Sequence, residues 1–263
     1  MFYYESKAVT DIGNKREINQ DNLIALQSYT NNKSIGVYCV ADGMGGLNDG
    51  EYASRLATQE SAKWYKKNFR LLSKKTIRYK KLKKSLMDLF YGINKTIYNY
   101  GRQKGIRIGT TYSLLLLLGE KYYLVHAGDS RIYLKRNGKL YLLTKDQTWV
   151  NEQVDKGLMT TEQAQMHPKK NVLTNCIGCF EVPSVCIGEG SVMLDDSFLL
   201  CSDGLYNLVT TDEISMGMSC DNLDYVSAEL LNLVKSRGAS DNITILLVKV
   251  VESYNVDDIT AFD

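Results

Sequence analysis

The 263-residue sequence predicts an α+β fold, and three features carry that expectation. Apolar runs of strand length recur near both ends and through the middle of the chain. Two stretches of helical periodicity lie together between Glu51 and Ile97. A β-rich section then opens at Gly109-Thr110-Thr111 and contains Asn137-Gly138, a strong hairpin signal between Ile132-Tyr133-Leu134 and Leu140-Tyr141-Leu142. With 44% hydrophobic residues the chain can bury a sizeable core, and two prolines with no Gly/Ser linker favour one domain over residues 1–263. A net charge of +2 gives no global field that would draw in nucleic acid or a membrane surface.

In chain order, Phe2–Val9 reads as a strand, followed by the polar loop Lys15-Arg16-Glu17-Ile18-Asn19-Gln20-Asp21-Asn22. Arg16 there has the planar guanidinium that matches phosphate oxygens, although a lone surface Arg is more often simply solvated. Ile35–Ala41 is a buried strand that ends in Asp42, then Gly43-Met44-Gly45-Gly46. An acid at the end of a buried strand is costly unless its charge is compensated. Two explanations stand side by side: a bound cation approached by a glycine carbonyl, or a tight turn whose Asp caps the next helix.

Glu51 to about Asn68 is helical, with Ala53, Leu56, Ala57, Ser61 and Trp64 on one face, and a second helix runs from Leu82 through Leu86, Leu89, Phe90, Ile93 and Ile97. Across them, Lys63–Lys84 holds eleven Lys or Arg and no acid. Most such runs are solvated surface; docking of acidic or phosphorylated protein, or of an anionic membrane, is the minority reading. Tyr112–Leu118, Lys121–Ala127 and Arg131–Lys135 are strands, with His126-Ala127-Gly128-Asp129 between two of them and His126 packing in its strand. Periodicity weakens over Asp146–Asn175, where helical pieces at Val150–Lys156 and from Thr161-Glu162 suggest a flap beside a site. Strand Ser197–Cys201 ends in Ser202-Asp203-Gly204, Asp221/Asn222 caps a helix, and Ser240-Asp241-Asn242 leads into strand Ile243–Val251. The acidic tail around Asp257-Asp258 is expected to fray.

Six cysteines are present; Cys39 and Cys201 lie in apolar runs and read as core residues. Cys176-x-x-Cys179 lacks further ligands for zinc, since the only histidines are His126 and His167, and it does not open a helix of a βαβ unit. Its spacing is therefore read as coincidence. With no signal pattern at the N-terminus and no apolar run of membrane-spanning length, a reducing, cytoplasmic setting is expected.

Asp42, Asp129 and Asp203 each follow an apolar strand, and Asp241 precedes one. Packed strands bring such ends to one rim, where gathered acids repel unless cations lie between them. All-oxygen donors suit Mg²⁺ or Mn²⁺, and a pair of such ions can activate a bridging water and polarise a phosphoryl group. The sequence has no phosphate-binding G-x-x-x-x-G-K-[ST] loop and no G-x-S-x-G nucleophile turn.

Taken in order, Arg16-Glu17-Ile18-Asn19-Gln20-Asp21, Ala41-Asp42-Gly43-Met44-Gly45-Gly46, Gly109-Thr110-Thr111, Gly128-Asp129-Ser130-Arg131, Leu173-Thr174 with Ile177-Gly178, Ser202-Asp203-Gly204-Leu205 and Ser240-Asp241-Asn242-Ile243-Thr244 span nearly the whole chain. Together they resemble the metal-dependent serine/threonine protein phosphatases of type 2C, the PPM family, in bacterial form. The resemblance implies a four-layer α-β-β-α sandwich of two antiparallel sheets flanked by helices. It implies Asp42 bridging two Mn²⁺ or Mg²⁺ ions, with the Gly43 carbonyl on the second. Asp203 and Asp241 would complete the first site, and Asp21 would act through water. Asp129 with Asp203 would form a third site, Arg16 would bind the substrate phosphate, and residues 146–175 would be the flap. No phosphoenzyme is expected. Phosphorylated proteins and a cognate Ser/Thr kinase are the implied partners, with no nucleic acid, no membrane span and a monomeric state.

Three positions depart from the family pattern: Leu47 where His is common, Asp146-Gln147-Thr148 in place of Asp-His-Ser, and Met44 where animal members have His. The last removes the obvious general acid. The alternative is a catalytically weak or inactive phosphatase fold used as a regulatory or binding module; the full acid set argues for catalysis. A phosphatase aimed at a small regulatory protein in a partner-switching system is a third reading.

Overall fold

The computed structural model describes residues 2–30, 33–46 and 48–252; the expectations at Leu47 and at Asp257-Asp258 lie outside them. Among the described residues, eleven strands form two antiparallel sheets. The first has the order β1 (Phe2–Asp11), β11 (Ile243–Glu252), β10 (Ser197–Cys201), β7 (Arg131–Arg136) and β8 (Lys139–Leu142). The second runs β2 (Asp21–Thr30), β3 (Lys33–Met44), β5 (Tyr112–Leu118), β6 (Lys121–Ala127) and β9 (Cys186–Ser191), with β4 (Gly109–Thr110) on the end of β3.

The central strands β3, β5, β10 and β11 are buried on both faces because each sheet is covered twice there. Along β3, Ile35, Val37, Cys39 and Ala41 pack under α1 (Asp49–Leu72) and α2 (Tyr79–Lys104), while Tyr38 and Val40 point between the sheets. Along β11 the same alternation sends Leu246, Val248 and Val250 between the sheets. It sends Ile243, Ile245 and Leu247 towards α7 (Leu223–Ser236), where Val226, Leu230 and Val234 are buried. The period-2 pattern of the strands thus generates four layers, α-β-β-α, with three apolar cores. The expected helix face on α1 holds: Ala53, Ala57, Ser61 and Trp64 are buried and Leu56 is half-buried. Asn137 and Gly138 both have positive φ, 50° and 76°, which sets the expected hairpin between β7 and β8.

Several elements differ from expectation. β2 is hidden in the polar stretch after Arg16: Asn22, Gln27, Ser28 and Thr30 dilute its alternation, and pairing with β3 from Lys33 to Asp42 makes it a strand. β9 carries two glycines, placed where Leu124 and Tyr122 of β6 fill the space a side chain would need. Between β10 and α7 lie two further helices, α5 (Asp203–Tyr206) and α6 (Thr211–Gly217). α6 begins with a reciprocal cap between Thr210 and Glu213, a Thr-x-x-Glu signature present in the sequence. In the 146–175 stretch, α3 (Trp149–Asp155) and α4 (Thr161–Met166) match the expected helical pieces, the second capped by Thr160 rather than Thr161. Among the described residues no helix is long and apolar enough to cross a membrane.

Candidate metal centre and active site

The two sheets bring five carboxylates to one rim of the sandwich. Asp42 lies at the end of β3, on the face shared with Val40, and Asp21 pairs directly opposite it on β2. Asp129 is in the turn from β6 to β7, Asp203 follows β10, and Asp241 precedes β11. A cavity of ≈ 510 Å³ is lined by Arg16, Asp42, Gly43, Asp129, Asp203 and Asp241, among others. The expected site residues Arg16, Asp42, Gly43, Asp129, Asp203 and Asp241 thus share one cavity, and Asp21 pairs opposite Asp42 without lining it.

Local structure fixes each acid. Asp21 Oδ2 accepts from Ser202 Oγ at 2.6 Å and from Thr244 Oγ1 at 2.7 Å. Asn207 Nδ2 donates to Asp203 Oδ2 at 3.0 Å. The Asp42 main chain is held by Thr111, whose N–H donates to the Asp42 carbonyl at 2.9 Å and whose Oγ1 accepts from Asp42 N–H at 2.8 Å. Gly43 is required sterically, because a Cβ there would run into the Gly50 backbone carbonyl at the start of α1. The Arg16 loop is tied to the β11 end by Asn242, whose Oδ1 accepts from Gln20 N–H and whose Nδ2 donates to the Ile12 and Ile18 carbonyls.

Charge at the rim is strongly unbalanced. Burial first, then Asp21, Asp203, Asp129 and Asp241, drive the Asp42 carboxyl far above the usual carboxylate range. Burial, then Asp203 and Asp146, push Asp129 up to about 8. Burial, then Asp241 and Asp21, push Asp203 up to about 7, and burial lifts Asp21 to about 6 against its two hydroxyl donors. Arg16 makes a two-pronged pair with Asp241, Nε to Oδ1 at 2.8 Å and Nη2 to Oδ2 at 2.7 Å. Arg131 is committed to Asp146, Nη2 to Oδ2 at 2.7 Å, and stacks on Tyr206 with the guanidinium carbon 3.6 Å from the ring centre. Arg131 stands in the Gly128-Asp129-Ser130-Arg131 motif without an assigned role, and Tyr206 is not singled out in the sequence.

These residues fit divalent cations. Asp21 is 5% exposed and its Oδ1 has no hydrogen-bond partner among the described residues, an orphaned buried acceptor next to other acids. The donors are all oxygen, as Mg²⁺ and Mn²⁺ prefer. Among the described residues no three His, Cys, Asp or Glu side chains converge as a ready cage. The set accordingly suits ions that keep several waters rather than a closed protein site. His126 is not part of it: its Nδ1 faces Ser113 Oγ at 3.0 Å, its Nε2 faces the Lys145 carbonyl at 3.1 Å, and burial lowers it to about 4.

One expectation is overturned. Cys176 and Cys179 are not a chance spacing: they form a disulfide, with Cα atoms 5.8 Å apart, on the wall of the same cavity. The turn between them passes through Gly178 at φ 88°, which folds an i, i+3 pair to bridging distance without a helix.

A rim of acids on a double sheet, with Arg16 beside it, has the chemistry of a site for divalent ions and a phosphate ester. The sequence profile of protein phosphatase 2C matches residues 14–246. A putative protein phosphatase 2C-type from Streptococcus pyogenes is 35% identical over 242 residues, 91% of this chain and 94% of that protein. The solved structure of the S. agalactiae serine/threonine phosphatase superposes with a TM-score of 0.83 at 31% identity, covering 95% of this chain and all of that one. The catalytic domain of the serine/threonine protein phosphatase PstP, solved in complex with 2 manganese ions, gives 0.81 at 28% identity, covering 96% and 100%. The chain belongs to the protein phosphatase 2C family, the Mn²⁺- or Mg²⁺-dependent protein-serine/threonine phosphatases, in its bacterial form.

Proposed function

We propose that this phosphatase hydrolyses phosphoserine and phosphothreonine in proteins at the cluster of Asp21, Asp42, Asp129, Asp203 and Asp241. The observation that carries the proposal is the crowding of Asp42 by Asp21, Asp203, Asp129 and Asp241, a cluster in which Arg16 pairs with Asp241 and leaves Asp42 without an ion-pair partner among the described residues. Asp42, the Gly43 carbonyl, Asp203 and Asp241 would hold two Mn²⁺ or Mg²⁺ ions, with Asp21 acting through water and Asp129 with Asp203 available to a third. Bound there, the ions supply Lewis acidity and an activated water for attack on phosphorus.

The rest is the work of the chain. Arg16 has five N–H donors and gives two to Asp241, leaving others to grip the phosphate oxygens. Ser202 and Thr244 fix Asp21 in one rotamer, and Thr111 keeps the Asp42 backbone in register with the rim. Met44 lines the cavity and carries no transferable proton, so phosphoserine should leave more slowly than an activated aryl phosphate. The 146–175 segment would act as a flap: Thr148, Asn151 and Lys170 line a neighbouring cavity of ≈ 480 Å³ that also reaches Asp129. A working monomer is part of this reading. A Ser/Thr kinase of the same cytoplasm would supply the phosphoprotein substrates.

The test is phosphate release from a phosphothreonine peptide with Mn²⁺, with Mg²⁺ and with chelator, alongside Asp241→Asn. Release that needs metal and is lost in the variant is the expected result. Release in chelator, or full activity of Asp241→Asn, would refute the metal assignment. No release from a folded protein under any metal would favour the binding-module reading.

A further inference from the structure

The Cys176–Cys179 disulfide stands where a covalent change would be felt by the metal loop. It brackets Ile177, whose N–H and carbonyl exchange hydrogen bonds with Thr110 at 3.0 and 2.9 Å. Thr110 in turn donates its hydroxyl to the Asp42 carbonyl at 2.9 Å, and β4 pairs Thr110 with Gly43 and Gly109 with Met44. The sulfurs lie against Gly109, where a Cβ would collide with Cys179 Sγ, and Cys179 Sγ is 3.7 Å from Met44 Sδ. Cys176 is 1% exposed, while Cys179 is half-buried and faces the cavity that Arg107 also lines.

We propose that Cys176 and Cys179 are a reversible redox site that exchanges with small thiols and disulfides and tunes how firmly the Asp42–Gly43 loop is held. The accessible Cys179, as its thiolate, attacks a small disulfide and expels one thiolate, giving a mixed disulfide. The Cys176 thiolate then attacks the Cys179 sulfur and expels the second thiolate. Two electrons pass from the cysteine pair to the small disulfide, whose two thiolates take up the two protons. In reverse, a small dithiol opens the bridge. The mechanical consequence follows from size: bonded sulfurs sit about 2 Å apart, whereas non-bonded atoms of this kind need roughly 3.5–4 Å. That extra separation has to be found against Gly109 and Met44, the two residues flanking the loop that carries Gly43. The oxidised form therefore holds the loop in place and the reduced form loosens it.

The coupling to metal rests on the site reading given above, and the test separates the two. The protein carries Cys186→Ser and Cys220→Ser, which removes its exposed free thiols. It is equilibrated at pH 7 in a series of reduced and oxidised glutathione ratios, alkylated under native conditions and weighed. Two alkyl groups should appear and disappear together, reversibly. Calorimetric titration with Mn²⁺ should then give a Kd at least threefold lower for the oxidised form, and Cys179→Ser should show no dependence on the glutathione ratio. A pair that stays as two alkylatable thiols in excess oxidised glutathione overturns the redox site. Equal Kd values for the two forms overturn its coupling while leaving the metal site intact. Absence of Mn²⁺ binding in both forms overturns the metal reading and with it the coupling, and the mass measurement still judges the cysteine pair.

Discussion

Asp203→Asn separates the cost of the rim from its use. Asp203 has a carboxyl lifted from an ordinary 3.8 to about 7 by burial and by Asp241 and Asp21. Holding it ionised at pH 8 therefore costs on the order of 4 kcal/mol relative to the unfolded chain. Asn keeps the shape and can still accept from Asn207 through its carbonyl oxygen. Its amide N–H groups need partners of their own, a cost of roughly 1–2 kcal/mol. The net gain in a chelated protein is about 2–3 kcal/mol, or roughly 4–10 °C in Tm for a chain of this size. The sign depends on pH. A raised carboxyl binds its proton more tightly folded than unfolded, so stability is greatest below about pH 4 and falls as pH rises towards 7, then levels off. The advantage of Asp203→Asn should therefore shrink to near zero at pH 5, where the folded wild type already carries the proton. Thermal melts with chelator at pH 5 and pH 8 measure this. With excess Mn²⁺ the order should reverse, because ligand binding to the native state stabilises only the wild type. A variant that melts below wild type in chelator at pH 8, or one whose advantage is equal at both pH values, would refute the account of the rim as an uncompensated acid cluster.

Mn²⁺ affinity should rise between pH 6 and pH 8, as protons held by Asp21, Asp203 and Asp129, lifted to about 6, 7 and 8, are displaced; calorimetry in buffers of different ionisation enthalpy counts those protons, and a flat profile would count against the cluster. Arg16→Ala should raise KM for phosphosubstrates several-fold with a smaller effect on kcat, and an unchanged KM removes Arg16 from the phosphate site. Gly43→Ala, forced against the Gly50 carbonyl, should cost more than about 2 kcal/mol of stability in a denaturant melt; a neutral result would mean the metal loop is more yielding than its packing indicates. Charge reversal within Lys63–Lys84 should raise KM for a protein substrate and leave that for a small aryl phosphate alone; equal effects on both would discard docking through that surface.

The sequence showed the acids because each one breaks a local rule: Asp42, Asp129 and Asp203 stop apolar strands, and Asp241 starts one. It could not show that Asp21 faces Asp42, because that contact is a register fact of β2 against β3, and β2 is too polar to announce itself. Ser202 and Thr244 were legible as neighbours of motif residues, but their joint grip on Asp21 joins positions 181 and 223 residues apart. The cysteines were misjudged for a related reason. A redox C-x-x-C usually opens a helix, whereas here the bridge closes a glycine turn whose importance comes from β4, a two-residue strand visible only once Gly43 and Thr110 are paired.

The same distinction explains the basic stretch. α1 starts beside the acid rim, where Gly50 abuts Gly43, and runs 24 residues, about 36 Å. Lys63 is therefore already about 21 Å along the axis from Asp49, and the turn at Ser73-Lys74-Lys75 is at the far end. Exposed charges separated by that distance from Asp42 are screened beyond a Debye length of about 8 Å at physiological salt. Neutralising the acid rim is thus not a role open to these lysines. Any contribution they make to catalysis has to come through contact with a substrate long enough to span both ends of α1. A phosphoprotein meets that requirement and an aryl phosphate does not, which is why the two substrates, compared on one charge-reversed protein, decide the question.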